Sequence, residues 1–230
     1  MKDIKVIGFD ADDTLWVNET YFQETEQEFC KLLSPYIDAQ TLSAALFRTE
    51  IQNMPLYGYG IKPYILSIIE TAIKVTDGKV SPAVLQKIIS LGKEQLRKPV
   101  VLLPGVEETL SALQGKYKLI VVTKGDILDQ EQKLIRSGIE HYFHHVEIMS
   151  NKTEKEYQKL LHHLDIKASQ FLMIGNSVKS DILPPLTLGC YTLYIPFKTT
   201  WAHEKEKVPN THPQFKEIKS LQQVLSFLSL

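Results

Sequence analysis

The chain has 230 residues, 43% of them hydrophobic and 23% charged, with a formal net charge of -1 and a sequence pI near 6.7. That balance describes a globular protein with room for one large core or two unequal domains. It argues against a dedicated binder of nucleic acid or of an anionic membrane, either of which would carry a basic excess, and so favours chemistry on small molecules.

Cys30 and Cys190 lie far apart and form no ligand spacing, so neither a disulfide framework nor a zinc site is expected. From Met1-Lys2-Asp3 the sequence passes straight into a strand pattern, with no room for an apolar leader. No later apolar run is long enough to span a bilayer, so a cytoplasmic protein is expected. The sequence does not set the oligomeric state, and a monomer is compatible with it.

The first element is the apolar run Ile4 to Phe9, a strand that ends in Asp10-Ala11-Asp12-Asp13-Thr14. Residues two apart on an extended chain face the same way, so Asp10 and Asp12 can both face one point where the strand opens into a loop. Two close carboxylates oppose each other's ionisation, and unless a cation sits between them one should hold a proton. The pair therefore offers an ionised nucleophile or metal ligand, and a carboxyl able to give and take a proton. Taken alone, the pentad reads equally well as an acidic turn.

From about Trp16 to Lys98 the pattern is helical. One helix runs from Tyr21 to Leu33, a second is capped by Asp38 and carries Leu42, Leu46 and Ile51, a third runs from Tyr64 to Val75, and a fourth opens at Ser81-Pro82 and ends near Arg97. After Pro99 strands and helices alternate. A helix runs through Leu113, then a strand Leu119 to Val122, a helix Leu128 to Ser137, a strand Val146 to Met149, a helix Thr153 to His163, a strand Phe171 to Ile174, a helix after Ser177 and a strand Tyr191 to Ile195. This alternation predicts an α/β fold, a Rossmann-like parallel sheet with helices on both faces, made of residues 1–15 and 99–230. Residues 16–98 then form a smaller all-helical cap domain inserted after the first strand, in the place of a lid. Phe197 to Pro213, rich in charge, Pro and His, reads as a surface loop.

Three later strand ends carry groups suited to an anion. Leu119 to Val122 ends in Thr123, whose hydroxyl could hydrogen-bond phosphate oxygens, although a capping Thr is the plainer reading. Lys152 lies just before a helix capped by Thr153 with Glu156, where the positive end of the helix gives a cation nothing unless it faces an anion. Gly175-Asn176-Ser177 follows the strand Phe171 to Ile174, and Asp181, one helical turn in, could point back to Asp10 and Asp12.

Together these segments resemble the four motifs of the haloacid dehalogenase superfamily, most of whose members are phosphatases using magnesium. The first, DxDx[TV] after a hydrophobic strand, is matched by Asp10, Asp12 and Thr14. The second is matched by Thr123, the third by Lys152, and the fourth, GDxxxxD, by Gly175 and Asp181, with Asn176 in place of its first Asp.

The resemblance implies that Asp10 attacks phosphorus to form an aspartyl-phosphate, while Asp12 protonates the leaving oxygen and later deprotonates the attacking water. Thr123 and Lys152 would bind the phosphoryl group of a small phosphorylated substrate. Mg2+ would be held by Asp10, the Asp12 backbone carbonyl and Asp181, with Asn176 as a neutral and weaker partner. A 2-haloacid dehalogenase, a phosphosugar mutase and a catalytically silent binding module are the alternatives on the same scaffold. Arg48, Tyr57 and Tyr59 of the helical segment could touch a leaving group, but each suits a plain structural role better. His203 reads as a surface residue outside catalysis.

Overall fold

The structure, a computed structural model, describes residues 3–228. Met1 and Lys2, which open the stretch read above as leaving no room for a leader, lie outside the described residues. The chain divides into two compact units. One comprises the residues up to Glu19, Val100–Lys124 and everything from Gln130 onward, and the other comprises Thr20–Pro99 with Gly125–Asp129. Among the described residues no helix is long and apolar enough to cross a membrane.

After the first strand, β1 (Val6–Phe9), come four helices: α1 (Glu19–Leu33), α2 (Ala39–Tyr57), α3 (Ile61–Val75) and α4 (Pro82–Arg97). Local signals set their ends. The Asp38 carboxylate accepts from the Thr41 amide and the Ser81 hydroxyl from the Val84 amide, each satisfying an N–H that the first helical turn cannot pair. Helix α3 starts three residues before Tyr64, because Pro63 is tolerated in a first turn whose N–H groups have no helical acceptor. Phe29, Leu33, Leu42, Leu46, Ile68 and Ile88 form the buried centre of this unit.

The larger unit is a six-stranded parallel sheet. Its further strands are β2 (Lys118–Lys124), β3 (His145–Met149), β4 (Phe171–Gly175), β5 (Tyr191–Tyr194) and β6 (Phe215–Glu217), in the order β3-β2-β1-β4-β5-β6. Side chains alternate between two cores. Ile7, Phe9, Leu119, Val121, Leu172 and Ile174 pack with α5 (Val106–Leu113), the Leu134 turn of α6 (Ile127–Ser137) and, near the C-terminus, Val224 of a short last helix; Val6, Ile120, Val122, Phe171 and Met173 pack with Tyr157, Leu160 and Leu161 of α7 (Glu154–His163). Helices thus cover both faces, as the continuous apolar strand runs require.

Three features depart from the sequence expectation. The segment after Ser177 is a single π turn, Val178–Ile182, followed by a short helix α8 (Leu183–Thr187) rather than one continuous helix. Pro184 has no N–H to give the Ser180 carbonyl four residues back, and that oxygen accepts the Tyr157 hydroxyl instead, at 3.1 Å. Strand β6 and the last helix, α9 (Gln223–Phe227), are too short to show a period. Within the loop from Phe197 to Pro213, a 3-10 turn at Ala202–Glu204 carries Glu204 inside the protein, so that residue is not at the surface.

Gly8 sits in β1 between two neighbouring strands, where a Cβ would lie 2.7 Å from Phe171 Cζ and 3.1 Å from Val122 Cγ2. Overpacking of this kind costs about 1–3 kcal/mol. Gly8→Ala is therefore expected to lower the urea midpoint of unfolding without changing its m-value, and an unshifted midpoint would show that Phe171 gives way freely.

Candidate active site

Strand β1 lies between β2 and β4, with Phe9 level with Val121 and Ile174, and the Asp10 amide continues the ladder to the Ile174 carbonyl at 2.8 Å. The Asp10 side chain thus emerges at the carboxyl edge of the sheet, where both neighbouring strands also end. There Lys152 donates to Asp10 Oδ1 at 2.5 Å and to Asp181 Oδ1 at 2.6 Å, and all three side chains are almost wholly buried. Burial and then the charge of Asp181 push the Asp10 carboxyl up to about 7, against the pull of Lys152. Burial also works against the Lys152 ammonium, yet the two carboxylates outweigh it and hold Lys152 above the ordinary lysine range.

Asp181 reaches this position because residue 175 has no side chain. A Cβ at Gly175 would lie 2.3 Å from Asp181 Oδ2, which instead accepts the Ser177 amide at 2.9 Å. Thr14 donates to Asp10 Oδ2 at 3.3 Å. Thr123, buried near the end of β2, hydrogen-bonds none of these groups; among the described residues its hydroxyl makes only a long 3.4 Å contact to the Lys124 carbonyl and so is weakly engaged.

Asp12 does not share the Asp10 cation. Its Oδ1 accepts from Lys133 Nζ at 2.7 Å and Trp16 Nε1 at 2.8 Å, and its Oδ2 from Gln130 Nε2 at 2.8 Å. Asp13 plays a structural part in a left-handed conformation with φ 61°. Its carboxylate accepts the Asn18 amide at 2.8 Å and the Glu19 amide at 2.9 Å, which fixes the chain where α1 begins. The acidic pentad therefore separates into three carboxylates with three different sets of partners.

The fit to a divalent cation rests on Asn176. With its amide nitrogen turned inward it donates to Asp10 Oδ2 and to the Asp12 carbonyl, each at 3.1 Å; with its amide oxygen turned inward, three oxygens converge at those same distances. A convergence of oxygens is what a hard cation takes, and Asp181 stands beside it through Lys152. The set holds two carboxylates, an amide and a backbone carbonyl, and no cluster of three His, Cys, Asp or Glu side chains able to hold a metal occurs among the described residues. Asp10, Asp12 and Asp181 bring three negative charges and Lys152 and Lys133 two positive ones, so the site is one charge negative without a metal.

A second buried network adjoins the first. Glu204 accepts from Lys124 Nζ at 2.5 Å, from Ser180 Oγ at 2.6 Å and from Ser177 Oγ. Burial alone would raise its pKa, but Lys124 and the two hydroxyls hold the carboxyl down at about 2. Neither Glu204 nor the Gln130–Lys133 pair is apparent from the motifs. Gln130 and Lys133, three apart on α6, share a helix face and so carry a faint signal; Glu204 lies in an aperiodic loop and carries none. His203 is half-buried and accepts Lys179 Nζ at 2.9 Å. Of the three helical-segment candidates, Tyr57 bonds Glu70 at 3.1 Å and Arg48 is exposed on α2.

A family model for haloacid dehalogenase-like hydrolases matches residues 4–184, and the chain belongs to that family. Glyceraldehyde 3-phosphate phosphatase of Methanocaldococcus jannaschii is 29% identical over 206 residues, which span 84% of this chain and 85% of that protein. The pyrimidine 5'-nucleotidase YjjG of Escherichia coli is 23% identical over 231 residues, spanning 95% and 96%. A crystal structure of a haloacid dehalogenase-like family hydrolase from Xanthomonas campestris is similar with a TM-score of 0.89 at 34% identity, over 99% of this chain and 91% of that one.

Burial pushes the Asp13 carboxyl from 3.8 up to about 7 despite the bonds from Asn18 and Glu19. A folded-state value above the unfolded one means that the folded protein holds the proton more tightly, so stability present below about pH 4 is lost as the pH rises through about 7. Asp13→Asn removes this titration. Its melting temperature relative to wild type should climb between those pH values in thermal scans, and a flat difference would show that Asp13 ionises at no cost.

Proposed function

We propose that the protein is a magnesium-dependent, cytoplasmic phosphatase that hydrolyses a small phosphorylated metabolite through an aspartyl-phosphate on Asp10. In this reading residues 1–15 and 99–230 are the catalytic domain and residues 16–98 the cap that selects the substrate. The observation that carries it is the division of the two carboxylates at the end of β1 between two cations, Lys152 for Asp10 and Lys133 for Asp12. Nucleophilic attack and proton transfer are separate tasks, and two carboxylates held in separate environments can perform one each. Among the relatives, the phosphatase and the nucleotidase names point to phosphate esters. The two unpaired cysteines suit a reducing compartment.

Asp10 attacks phosphorus and the ester oxygen leaves with a proton from Asp12. Asp12 then takes a proton from the water that cleaves the acyl phosphate, while Trp16, Gln130 and Lys133 keep its carboxylate in place. Lys152 and the weakly engaged hydroxyl of Thr123 supply donors to the phosphoryl oxygens. Magnesium, when bound, would be held by Asp10, Asp181, the Asp12 carbonyl and the Asn176 amide oxygen, and would supply the positive charge that lets a phosphate dianion enter.

A metal-free attack on carbon, as in a 2-haloacid dehalogenase, is favoured by one feature, the ability of the neutral Asn176 amide to donate to Asp10. It leaves Asp12 and its three donors without a task.

Phosphate release from an aryl phosphate and from a panel of phosphorylated trioses and nucleoside monophosphates, with Mg2+ or with EDTA, tests the proposal. Activity should require Mg2+ and fall at least about a thousandfold in Asp10→Asn. Release that persists in EDTA or survives the loss of Asp10, or halide release from 2-haloacids in its place, would overturn it. Asn176→Asp should lower the Mg2+ concentration needed for half-maximal activity, and an unchanged or higher requirement would retire the account of Asn176 as a weak neutral ligand.

A further inference from the structure

The Glu204 carboxylate is joined to Asp181 through one residue, Ser177. Glu204 Oε2 accepts the Ser177 hydroxyl and, at 2.6 Å, the Ser180 hydroxyl. Because the Ser177 proton points to Glu204, the lone pairs of its Oγ face elsewhere, and one accepts the Ser180 amide at 3.0 Å. The backbone of Ser177 grips Asp181 twice: its amide donates to Asp181 Oδ2 at 2.9 Å, and its carbonyl accepts the Asp181 amide at 2.8 Å. With Oδ2 held there, Oδ1 is turned to Lys152 at 2.6 Å, and Lys152 in turn donates to Asp10. A hydrogen bond from a hydroxyl to an ionised carboxylate is about twice as strong as one between neutral groups, and burial strengthens it further.

We infer that Glu204 is a positioning residue: by holding the Ser177 hydroxyl it fixes the backbone that grips Asp181, and so sets the direction in which Asp181 and Asp10 present Lys152 to a phosphoryl group. The inference rests on the phosphatase reading for that phosphoryl group, while the path of bonds from Glu204 to Lys152 lies wholly in this chain. Ser177 belongs to the turn after β4 and Glu204 to the loop after β5, so their bond ties together two neighbouring segments at the carboxyl edge of the sheet. In Glu204→Gln one carboxylate oxygen becomes an NH2 group. Lys124 donates to Oε1 at 2.5 Å and the two serines donate to Oε2, so whichever way the amide lies, a donor meets a donor. Ser177→Ala cuts the same bond from its other end and keeps the peptide groups that face Asp181.

Calorimetric titration of inorganic phosphate into the Mg2+-saturated protein, beside phosphatase assays on the same preparations, tests this. Each single variant should bind phosphate about tenfold more weakly than wild type, the scale of one hydrogen bond to a charged group. The double variant should lie within about twofold of the weaker single variant, because both changes cut one path. A purely structural part would lower the amount of folded protein, and with it the binding stoichiometry, but not the affinity of the molecules that stay folded. Ser177→Ala carries the test by itself if Glu204→Gln does not fold. Wild-type affinity in either single variant, or losses that multiply in the double variant, would overturn the inference while wild-type activity stands. Wild-type protein that neither binds phosphate nor releases it from esters would instead overturn the phosphatase reading, and the inference with it.

Discussion

The structure at the carboxyl edge of the sheet depends on one buried cation. Lys152 is shared between Asp10 and Asp181 at 2.5 and 2.6 Å, and none of the three could be buried alone, since an unpaired ion inside a protein costs several kcal/mol. Bringing the three together requires the strand order. Asp10 leaves the central strand β1, Lys152 follows β3 on one side and Asp181 follows β4 on the other. The bare backbone of Gly175 lets the π turn fold Asp181 back over the strand end, and the Ser177 amide holds its second oxygen.

Because Lys152 is taken up by Asp10 and Asp181, Asp12 needs its own partners, and α6 provides them. Gln130 and Lys133 face the loop from one side of the helix, and Trp16, four residues after Asp12, closes on the same carboxylate. The Gln130 amide also donates to the Lys124 carbonyl at 3.0 Å, tying the Asp12 environment to the end of β2. Asp13, next in sequence, does neither job; its left-handed backbone and its bonds to the Asn18 and Glu19 amides make it the fastening of the chain as it leaves the sheet.

Much of the fold was legible because its signals are local. Strands β1, β2 and β4 are apolar runs buried on both faces, and the ends of α2, α4 and α7 are marked by Asp38, Ser81 and Thr153. The site was legible in part for the same reason, since Asp10, Lys152 and Asp181 each sit where a strand gives out. What did not show has no local signature. The π turn depends on the Ser180 carbonyl, which Pro184 has no N–H to serve, accepting the Tyr157 hydroxyl across the fold, and β6 and α9 are shorter than a readable period. Glu204 is a charged residue among charged residues until the chain folds over Lys124, and the grip of Lys133 on Asp12 joins positions 121 apart in sequence.

Asn176 follows from the same electrostatics. Its amide lies 3.1 Å from both Asp10 Oδ2 and the Asp12 carbonyl, and a carboxylate there would add a fourth negative charge beside a pair that Lys152 already serves twice. Burial and Asp181 carry the Asp10 carboxyl up to about 7 against the pull of Lys152. Another anion in contact would drive it higher and leave Asp10 protonated at neutral pH. A neutral amide can turn its nitrogen to the oxygens when no cation is present and its oxygen to the cation when one arrives. A neutral amide at position 176 thus leaves Asp10 ionisable beside the bridge from Lys152 to Asp181.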